Sequence, residues 1–254
     1  MPIDWLINYW HHAGPYALPF FTHRKIALQL KFGDHILYKR HNDDENWINI
    51  NSQKQIDEYA FGHTFSFHPH QLSDDNIKWI MIDIDKRNDK LPFKYIVKVA
   101  QIMAGFLDKD KQPYLLKYSG HRGFHFMWSL GKIKPKDIES ELIYQKEHQI
   151  VEKYTARLEE YFQNSPLTKS LKKYYPPNSP LFSTNSADKK LAHCILIDKN
   201  ILRPHAVFRS PWSVHPTTGL ISAPMEVREL DNFDPKAFTP HQVIPRLKYV
   251  QMPA

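Results

Sequence analysis

The sequence predicts a mixed α/β fold in which antiparallel-rich sheets are flanked by helices. Two short alternating segments within residues 25 to 38 enclose a Gly-Asp turn signal, which is typical of a β-hairpin. A strand-like run follows at residues 78 to 85. Residues 93 to 107 and 135 to 164 carry apolar side chains at helical spacing, which indicates two long helices.

The second half of the chain continues this mixture of elements. The helix predicted at residues 135 to 164 has a charged back face, which we interpret as solvated surface. Residues 164 to 190 lose periodicity and collect prolines, which predicts a long loop. Strand signals resume at residues 192 to 198 and 206 to 209. A last hairpin is expected between residues 212 and 223, around a Thr-Thr-Gly turn.

Length and composition indicate a folded protein with a large core. The chain has 254 residues and is 42% hydrophobic, which fits one large domain or two tightly packed halves, and we treat residues 1 to 254 as a single domain. The early aromatic residues are expected in the core: Trp5, Tyr9, Trp10, Tyr16, Phe20 and Phe21. The formal net charge of +7 suggests attraction to a polyanion such as nucleic acid.

The cysteine count and the N-terminus indicate a cellular compartment. A single cysteine, Cys194, excludes an intramolecular disulfide and a Cys-rich zinc knuckle, and we interpret it as a small buried strand residue. The first residues show no signal peptide, and the most apolar stretch is too short to cross a bilayer. We therefore expect a cytoplasmic, nucleoid-associated protein without a membrane partner.

Asp83 and Asp85 end the strand-like run and form the first candidate metal-binding group. Side chains alternate along a strand, so both carboxylates fall on the face opposite Ile80, Ile82 and Ile84. Their Cα atoms would lie about 7 Å apart, which lets both carboxylates reach one small site. Their repulsion favours a cation between them, and oxygen ligands select Mg²⁺ or Mn²⁺. Taken alone, such a pair is more often a solvated strand end or turn.

A glycine-containing polar turn forms the second group. Within it, Ser119, Arg122 and His125 supply a hydroxyl, a forked cation and an imidazole, which together suit phosphate oxygens. The flanking glycines allow backbone amides to approach an anion closely. The alternative is a hairpin turn that is merely polar. The turn is not a P-loop, because the chain contains no Gly-x-x-x-x-Gly-Lys-Ser/Thr sequence.

The third group combines another carboxylate with a second set of donors. Asp198 ends an apolar strand and could join Asp83 and Asp85, although alone it would more often be a helix cap or turn residue. Arg209 lies just upstream of Ser213 and His215, which are two residues apart and are expected to share a strand face. Three carboxylates and two donor sets would suit a nucleoside triphosphate and two metal ions.

The order of these motifs resembles the archaeo-eukaryotic primase superfamily, and especially the small, catalytic subunit of DNA primase. The chain shows Asp-x-Asp, then Ser-Gly-x-Arg-Gly-x-His, then an Asp followed by Arg-Ser-Pro-x-Ser-Val-His-Pro-x-Thr-Gly. These motifs span residues 83 to 219, and residues 24 to 28 resemble the early strand of the family. The resemblance implies the primase small-subunit fold, which contains an RRM-like half.

The resemblance also implies an activity, namely template-directed synthesis of short RNA or DNA primers on single-stranded DNA from nucleoside triphosphates. Asp83, Asp85 and Asp198 would bind two Mg²⁺ or Mn²⁺ ions. The incoming triphosphate would be held by the other motif residues: Ser119, Arg122, His125, Arg209, Ser213 and His215. A primase large subunit is a partner that the resemblance allows.

Two departures from the family pattern affect these expectations. Thr217 stands where the family often has Lys, so one positive charge on the phosphate side is missing or comes from elsewhere. The zinc knuckle of many small subunits cannot be built from one cysteine. The chain is also shorter than many family members, so we expect no accessory domain. His63, His68 and His70 are closely spaced, but 15 histidines make chance clusters common, and we expect no zinc site there.

Three alternative functions remain open from the sequence. A stand-alone primase-polymerase of a mobile element or a repair polymerase belongs to the same superfamily. A catalytically inactive nucleic-acid-binding subunit is less compatible with three intact aspartates. A metal-dependent nuclease could use the carboxylates, but two phosphate-binding sets are more than hydrolysis of a DNA backbone requires.

Overall fold

The first sheet is built around a single long strand. The structure is a computed structural model that describes residues 4–134, 137, 141–175, 179–184, 195–199, 201–203 and 205–253. Strand β1 (Lys25–Phe32) pairs antiparallel with three strands: β2 (His35–Lys39), β3 (Ile48–Asn49) and β4 (Thr64–Pro69). Phe32 faces His35 across the turn at Gly33, which has a φ of 58°, so the predicted first hairpin is confirmed.

Two helices cover this sheet, namely α1 (Asp4–Ala17) and α2 (Gln53–Phe61). Helix α2 begins at Ser52, whose side chain accepts a hydrogen bond from the Gln55 backbone N–H, as N-cap residues do. Helix α1 buries Tyr9 and Trp10 completely, and four of the six early aromatic side chains lie in the core as expected: Tyr9, Trp10, Phe20 and Phe21. Trp5 and Tyr16 are partly buried against it.

The second sheet has the strand order β6-β7-β5-β9-β8. Its strands are β5 (Ile77–Lys86), β6 (Leu115–Tyr118), β7 (Gly123–Lys132), β8 (Phe182–Ser183) and β9 (Ile195–Ile197). Helix α3 (Phe93–Lys109) follows β5, and α4 (Glu141–Gln163) follows β7. The succession β5-α3-β6-β7-α4-β9, with antiparallel neighbours, is the split βαβ arrangement of an RRM-like unit, as the resemblance implied.

Strand β5 separates an apolar face from a polar one. Ile80, Ile82 and Ile84 are completely buried on one face of the strand. Helix α3 packs against this strand with an apolar stripe that is itself buried: Ile96, Val99, Ala100 and Met103. The opposite face presents Asp83 and Asp85, so the alternation predicted for this strand is confirmed.

Some predicted elements differ from the structure. Part of the predicted loop is ordered into α5 (Leu167–Leu171), a 3-10 turn at Lys172–Tyr174, and β8, because Leu171 and Phe182 are buried despite the surrounding prolines. Residues 206 to 209 form one bridge to the end of β4 instead of a regular strand. The start of the predicted second long helix and Cys194 lie outside the described residues.

The last predicted hairpin is confirmed and joins the two sheets. Its strands are β10 (Ser213–Val214) and β11 (Ile221–Ser222). In the segment before this hairpin, the Ser210 N–H donates to the Phe67 carbonyl oxygen of β4 at 2.9 Å. In the segment after the hairpin, the Ala223 carbonyl oxygen accepts from the Tyr118 N–H of β6 at 3.0 Å. Helix α6 (Pro240–Val243) follows. In the part of the chain that is described, no helix is long and apolar enough to cross a bilayer.

Candidate active site

The three predicted metal ligands meet where β5 and β9 run side by side. Asp83 and Asp85 lie on β5, and Ile84 pairs antiparallel with Ile197 of β9. Asp198 follows directly, and its backbone N–H donates to the Asp83 carbonyl oxygen at 3.1 Å. Antiparallel pairing of two strand ends therefore brings the three carboxylates to one region of the sheet.

The carboxylates affect one another electrostatically. Burial, followed by the negative charges of Asp85 and Asp198, raises the pKa of Asp83 well above its usual value. Burial also raises the pKa of Asp85, although the Arg122 guanidinium opposes this shift. Buried carboxylates with raised pKa values gain from a nearby cation, because the cation offsets both desolvation and repulsion.

The chemistry of the donor set fits a hard divalent cation. Among the described residues, no three His, Cys, Asp or Glu side chains are already arranged to hold a metal ion. Arg122 Nη2 donates to Asp85 Oδ2 at 2.8 Å and so occupies one carboxylate. Three carboxylates on adjacent strand ends, with raised pKa values in two of them, are the oxygen ligands that Mg²⁺ and Mn²⁺ prefer. The guanidinium uses only Oδ2 of Asp85, so such an ion could bind Oδ1 or take the place of the guanidinium.

The polar turn at residues 119 to 123 is held close to β5. The Ser119 hydroxyl accepts hydrogen bonds from the backbone N–H groups of His121, at 3.2 Å, and Gly123, at 3.1 Å. A Cβ atom at Gly123 would collide with the Ile84 carbonyl oxygen, so only glycine fits beside the strand. This close approach places the Arg122 side chain against Asp85.

A row of polar side chains crosses the second sheet at Asp83. His125 faces Asp83 on β7, and its Nε2 lies 3.4 Å from Asp83 Oδ1. Burial lowers the pKa of His125 well below its usual value, so the ring is neutral near pH 7. Its Nδ1 is buried and has no hydrogen-bond partner in the described part of the chain. The imidazole can therefore act as a hydrogen-bonding group but not as a fixed cation.

Lys117 is a site-bordering residue that sequence reasoning missed. It pairs with His125 across β6 and β7 and is fully buried. Its Nζ donates to Ser222 Oγ at 2.7 Å. Burial and the neighbouring Arg209 lower the pKa of Lys117, whereas the Asp83 charge raises it. The sequence signal that could have identified Lys117 is a lysine among apolar residues, in the short strand before the polar turn.

Arg209 joins the two sheets. Its guanidinium donates to Ser66 Oγ at 3.1 Å and to Gln29 Oε1 at 3.3 Å, both in the first sheet. The third hydrogen bond goes to the Ser119 carbonyl oxygen at 3.2 Å, at the end of the second sheet. Burial lowers the pKa of Arg209 to about 10, so the group remains a cation at neutral pH. The sequence identified Arg209 as a candidate site residue but did not indicate which groups accept its hydrogen bonds.

His215 and Ser213 are placed differently, although they lie two residues apart. The His215 ring packs on the His121 ring with centroids 4.6 Å apart, next to the polar turn. Burial and the nearby Arg209 lower the pKa of His215 to about 2, so it is neutral. Ser213 is fully buried, and its hydroxyl contacts Ser210 Oγ and the Phe67 backbone. Its side chain lies in the wall of the site.

A lysine of β1 reaches the turn in which the expected lysine is missing. Thr217 is exposed. Lys31 Nζ donates to the carbonyl oxygen of Pro216 at 2.8 Å. The positive charge of Lys31 also contributes to the lowered pKa of His215. A lysine from a distant part of the sequence therefore places its charge beside the turn that contains Thr217.

The histidines considered as a zinc site have separate neighbours. His63 packs on Phe32, and His70 Nδ1 lies 2.9 Å from the Leu72 carbonyl oxygen. His68 Nε2 lies 3.3 Å from Gln29 Oε1, so His68 borders the groups that hold Arg209.

A model of a known protein family matches most of the chain that carries these carboxylates, guanidinium groups and imidazoles. The family model for the primase-polymerase domain of LigD matches residues 20–254. The chain belongs to this family. The family is a primase-polymerase group of the archaeo-eukaryotic primase superfamily, so the resemblance seen in the motifs holds at the level of the superfamily. The match supports a polymerase-type nucleotidyltransferase and does not support the narrower identification as a primase small subunit.

A solved structure supports the same fold. The polymerase domain of Ligase D from Mycobacterium tuberculosis, solved in complex with DNA, aligns with a TM-score of 0.69. The alignment covers 95% of this chain and 86% of that chain, at 13% sequence identity. At this identity the likeness concerns the fold. A search of curated proteins found no match.

Proposed function

We propose that this protein is a stand-alone primase-polymerase that adds nucleotides from nucleoside triphosphates to the 3′ end of a strand paired with a DNA template. The observation that carries the proposal is the meeting of Asp83, Asp85 and Asp198 beside two arginines on one polar region between the sheets. Because the proposed residues come from both sheets, we treat residues 1 to 254 as one catalytic domain.

The three aspartates are proposed to bind two Mg²⁺ or Mn²⁺ ions. When bound, such ions would lower the pKa of the attacking 3′-hydroxyl and neutralise the triphosphate. Asp83 and Asp85 would present carboxylates from one face of β5, and Asp198 would present a third from the end of β9. No protein nucleophile is required, because positioning and electrostatics supply most of the acceleration in phosphoryl transfer.

The triphosphate is proposed to lie along the cations and neutral imidazoles next to these carboxylates. Arg209 would contribute a fixed positive charge, and Lys31 would contribute the charge that Thr217 lacks. Arg122 would leave Asp85 and turn to a phosphate oxygen, which would free the carboxylate for a metal ion. His125 and His215 would act as neutral hydrogen-bonding groups.

The two serines have different proposed roles. Ser119 shapes the polar turn through its two accepted hydrogen bonds, and its own proton can still be donated to a phosphate oxygen. Ser213 holds β10 against β4 through the Phe67 backbone, so we assign it the positioning of His215.

The proposal is tested by primer extension. The protein is incubated with a primed DNA template and labelled ribonucleoside or deoxyribonucleoside triphosphates, with Mg²⁺ or Mn²⁺. The expected result is template-dependent extension that is lost in Asp83→Ala/Asp85→Ala while DNA binding is retained. Failure of the wild-type protein to extend even a supplied primer would contradict the proposal. Retained activity in the double variant would refute the metal assignment.

A replicative primase catalytic subunit is the second candidate within the same superfamily. The family match favours the stand-alone enzyme, because it is to a primase-polymerase domain of the LigD type. Initiation on unprimed single-stranded DNA distinguishes the two candidates. Synthesis by the isolated chain supports the stand-alone enzyme, and synthesis only after addition of a large subunit supports the replicative primase.

A further inference from the structure

His121 lies in the polar turn, and the proposed triphosphate site does not use it. It occupies a variable position of the motif Ser-Gly-x-Arg-Gly-x-His, so the resemblance assigns no role to it. Its side chain is partly exposed, and its ring packs on the ring of His215 with centroids 4.6 Å apart and planes inclined at 40°. The imidazole of His121 therefore lies beside a residue that we propose holds the triphosphate.

Backbone contacts between two turns hold the paired rings in place. The Thr218 hydroxyl donates to the Gly120 carbonyl oxygen at 2.6 Å and so ties the turn after β10 to the polar turn. Gly120 has a φ of 83°, and a Cβ atom there would lie 3.1 Å from the His215 Cβ. The polar turn therefore lies tightly against His215, and this contact sets the position of the His121 ring.

The two imidazoles differ in their hydrogen bonds. His215 Nδ1 accepts from the backbone N–H groups of Thr217, at 3.3 Å, and Thr218, at 3.4 Å. The proton of this neutral ring therefore lies on Nε2. Among the described residues, His121 forms hydrogen bonds only through its backbone, and the Tyr118 hydroxyl donates to its carbonyl oxygen at 2.9 Å. Both ring nitrogens of His121 are therefore available to a ligand.

Positive charges outnumber negative ones around the His121 ring. Burial, followed by the charges of Arg122 and Arg209, lowers the pKa of His121. At the end of β5 and in the loop after it, Lys86 strengthens this shift and Asp89 opposes it. With three cations against one carboxylate, the ring is neutral at pH 7 until further negative charge arrives.

A nucleoside triphosphate would supply that negative charge. A polyanion favours the protonated form of a nearby imidazole, and a protonated imidazole donates from both ring nitrogens. A charge-assisted hydrogen bond to a phosphate oxygen is about twice as strong as a neutral one. Nucleotide binding and protonation of such a ring would therefore favour each other.

We propose that His121 is a further triphosphate-binding residue, and that its imidazole takes up a proton from the solvent when the nucleotide binds. This inference rests on the proposed function, which places the triphosphate next to His215 and Arg122. It follows that the protein binds the nucleotide more tightly at lower pH, through a group that is separate from the three carboxylates.

The test measures the binding of ATP with Mg²⁺, in the absence of DNA, by isothermal titration calorimetry between pH 6 and pH 8.5. His121→Gln keeps a hydrogen-bonding side chain that cannot be protonated, and His121→Arg carries a fixed charge. At pH 6, His121→Gln should bind ATP about tenfold more weakly than the wild-type protein. At pH 8.5 the two affinities should agree within about twofold, whereas His121→Arg should bind ATP more tightly than either.

The comparison between variants removes other causes of pH dependence. Titration of the nucleotide affects both proteins equally, so the ratio of their dissociation constants isolates the contribution of His121. Calorimetry in two buffers of different ionisation enthalpy counts the protons taken up at pH 7, and this number should be larger for the wild-type protein than for His121→Gln. A residue that only supports the fold would change affinity without changing proton uptake.

His12→Gln is the matched control. His12 is exposed on α1 and packs on another histidine ring, that of His11, with centroids 5.8 Å apart. This variant should match the wild-type protein in affinity and in proton uptake at every pH. An equal loss in His12→Gln would refute the assignment of the effect to the polar turn.

The contrary outcomes are distinct from one another. An affinity ratio that stays constant with pH would refute the uptake of a proton by His121, and equal affinities at every pH would refute the contact itself. If ATP binds with the expected proton uptake but no primer is extended, the proposed polymerase function fails and the triphosphate contact is supported. If primers are extended and His121→Gln shows the wild-type pH dependence of KM, the proposed function is supported and this inference fails.

Discussion

The turn that carries Arg122 and the segment that carries Arg209 both border the carboxylates, but they hold their guanidinium groups differently. Arg209 donates to three neutral oxygens drawn from both sheets. Arg122 is partly exposed, and its described hydrogen bond goes to the Asp85 carboxylate. A cation held by neutral acceptors keeps its place when an anion binds, whereas a cation paired with a proposed metal ligand must change partner.

This difference assigns separate tasks to the two regions. In the proposed reaction, the Arg209 region would supply a fixed electrostatic environment that requires no reorganisation, which is the most effective form of electrostatic stabilisation. The Arg122 region would couple the two proposed ligands, because Asp85 would become fully available to a metal ion if Arg122 turned to phosphate. Four predictions test or refine this contrast.

The largest effect is expected for Arg209→Met. Three oxygens lose their donor, so the free energy of unfolding should fall by about 2 to 4 kcal/mol. The specificity constant kcat/KM for nucleotide addition should fall by about 10³-fold, because a fixed charge at the triphosphate is lost. Urea unfolding and steady-state primer extension measure the two quantities. Arg209→Lys keeps the charge but not the forked geometry and should recover only part of each loss. Wild-type stability in Arg209→Met would contradict the structural role.

Arg122→Met should separate activity from stability. The ion pair with Asp85 is partly exposed, so the free energy of unfolding should change by less than about 1 kcal/mol. The value of kcat/KM should fall by about 10²-fold. Without nucleotide, Mn²⁺ should bind more tightly than to the wild-type protein, because Asp85 has lost a competing cation. Equilibrium Mn²⁺ titration measures this, and weaker Mn²⁺ binding would contradict the proposed exchange of partners.

Lys31→Met should raise KM for the nucleoside triphosphate by about tenfold, since one phosphate contact is lost. Thr217→Lys in the same background should restore much of the affinity, because it places a cation on the same turn. Lys39→Met is the matched control, as Lys39 lies on the neighbouring strand and pairs with exposed Asp43. Steady-state kinetics at saturating primed template would show whether only Lys31→Met changes KM.

The last prediction concerns pH and the groups around Arg209, and at pH 7 its effect is the smallest of the four. Burial, followed by the charge of Arg209, lowers the pKa of His68 well below its usual value. As pH falls below about 6.5, the unfolded chain binds a proton that the folded protein does not, so this imidazole lowers the free energy of unfolding by about 1.4 kcal/mol per pH unit.

His68→Gln should remove that contribution while keeping a donor for Gln29 Oε1. The free energies of unfolding of the two proteins should therefore converge or cross as the pH is lowered from 7.5 to 5. Urea unfolding at several pH values measures the curves. Parallel curves would show that His68 is protonated equally in the folded and unfolded states.

Several features of the fold and the candidate site could be predicted because they depend on local periodicity. Alternation along residues 78 to 85 placed Asp83 and Asp85 on one face, and the structure shows that face turned away from the apolar core. The turn signals located both hairpins. The spacing of apolar residues located α3. The proline content led to a prediction of too long a loop after α4. Two buried side chains anchor α5 and β8 within that segment.

Other features depend on which faces meet after folding. Ser213 was expected to share a binding face with His215. Its hydroxyl instead contacts the backbone of β4 and lies in the wall of the candidate site. Lys117 was overlooked because its importance comes from its pairing with His125 and the nearness of Asp83. Lys31 was overlooked because nothing in the first hairpin indicates that it reaches Pro216, 185 residues away in the chain.

The sequence by itself determined the fold class and the motif order, and it selected the residues that we propose bind metal and phosphate. These properties follow from side-chain chemistry and from the residue periodicity of strands and helices. Only the tertiary structure decided how two polar sheet faces meet, so that Arg209 is fixed by neutral oxygens while Arg122 occupies Asp85. The physical reason is that such contacts join residues far apart in the chain, where local periodicity carries no information.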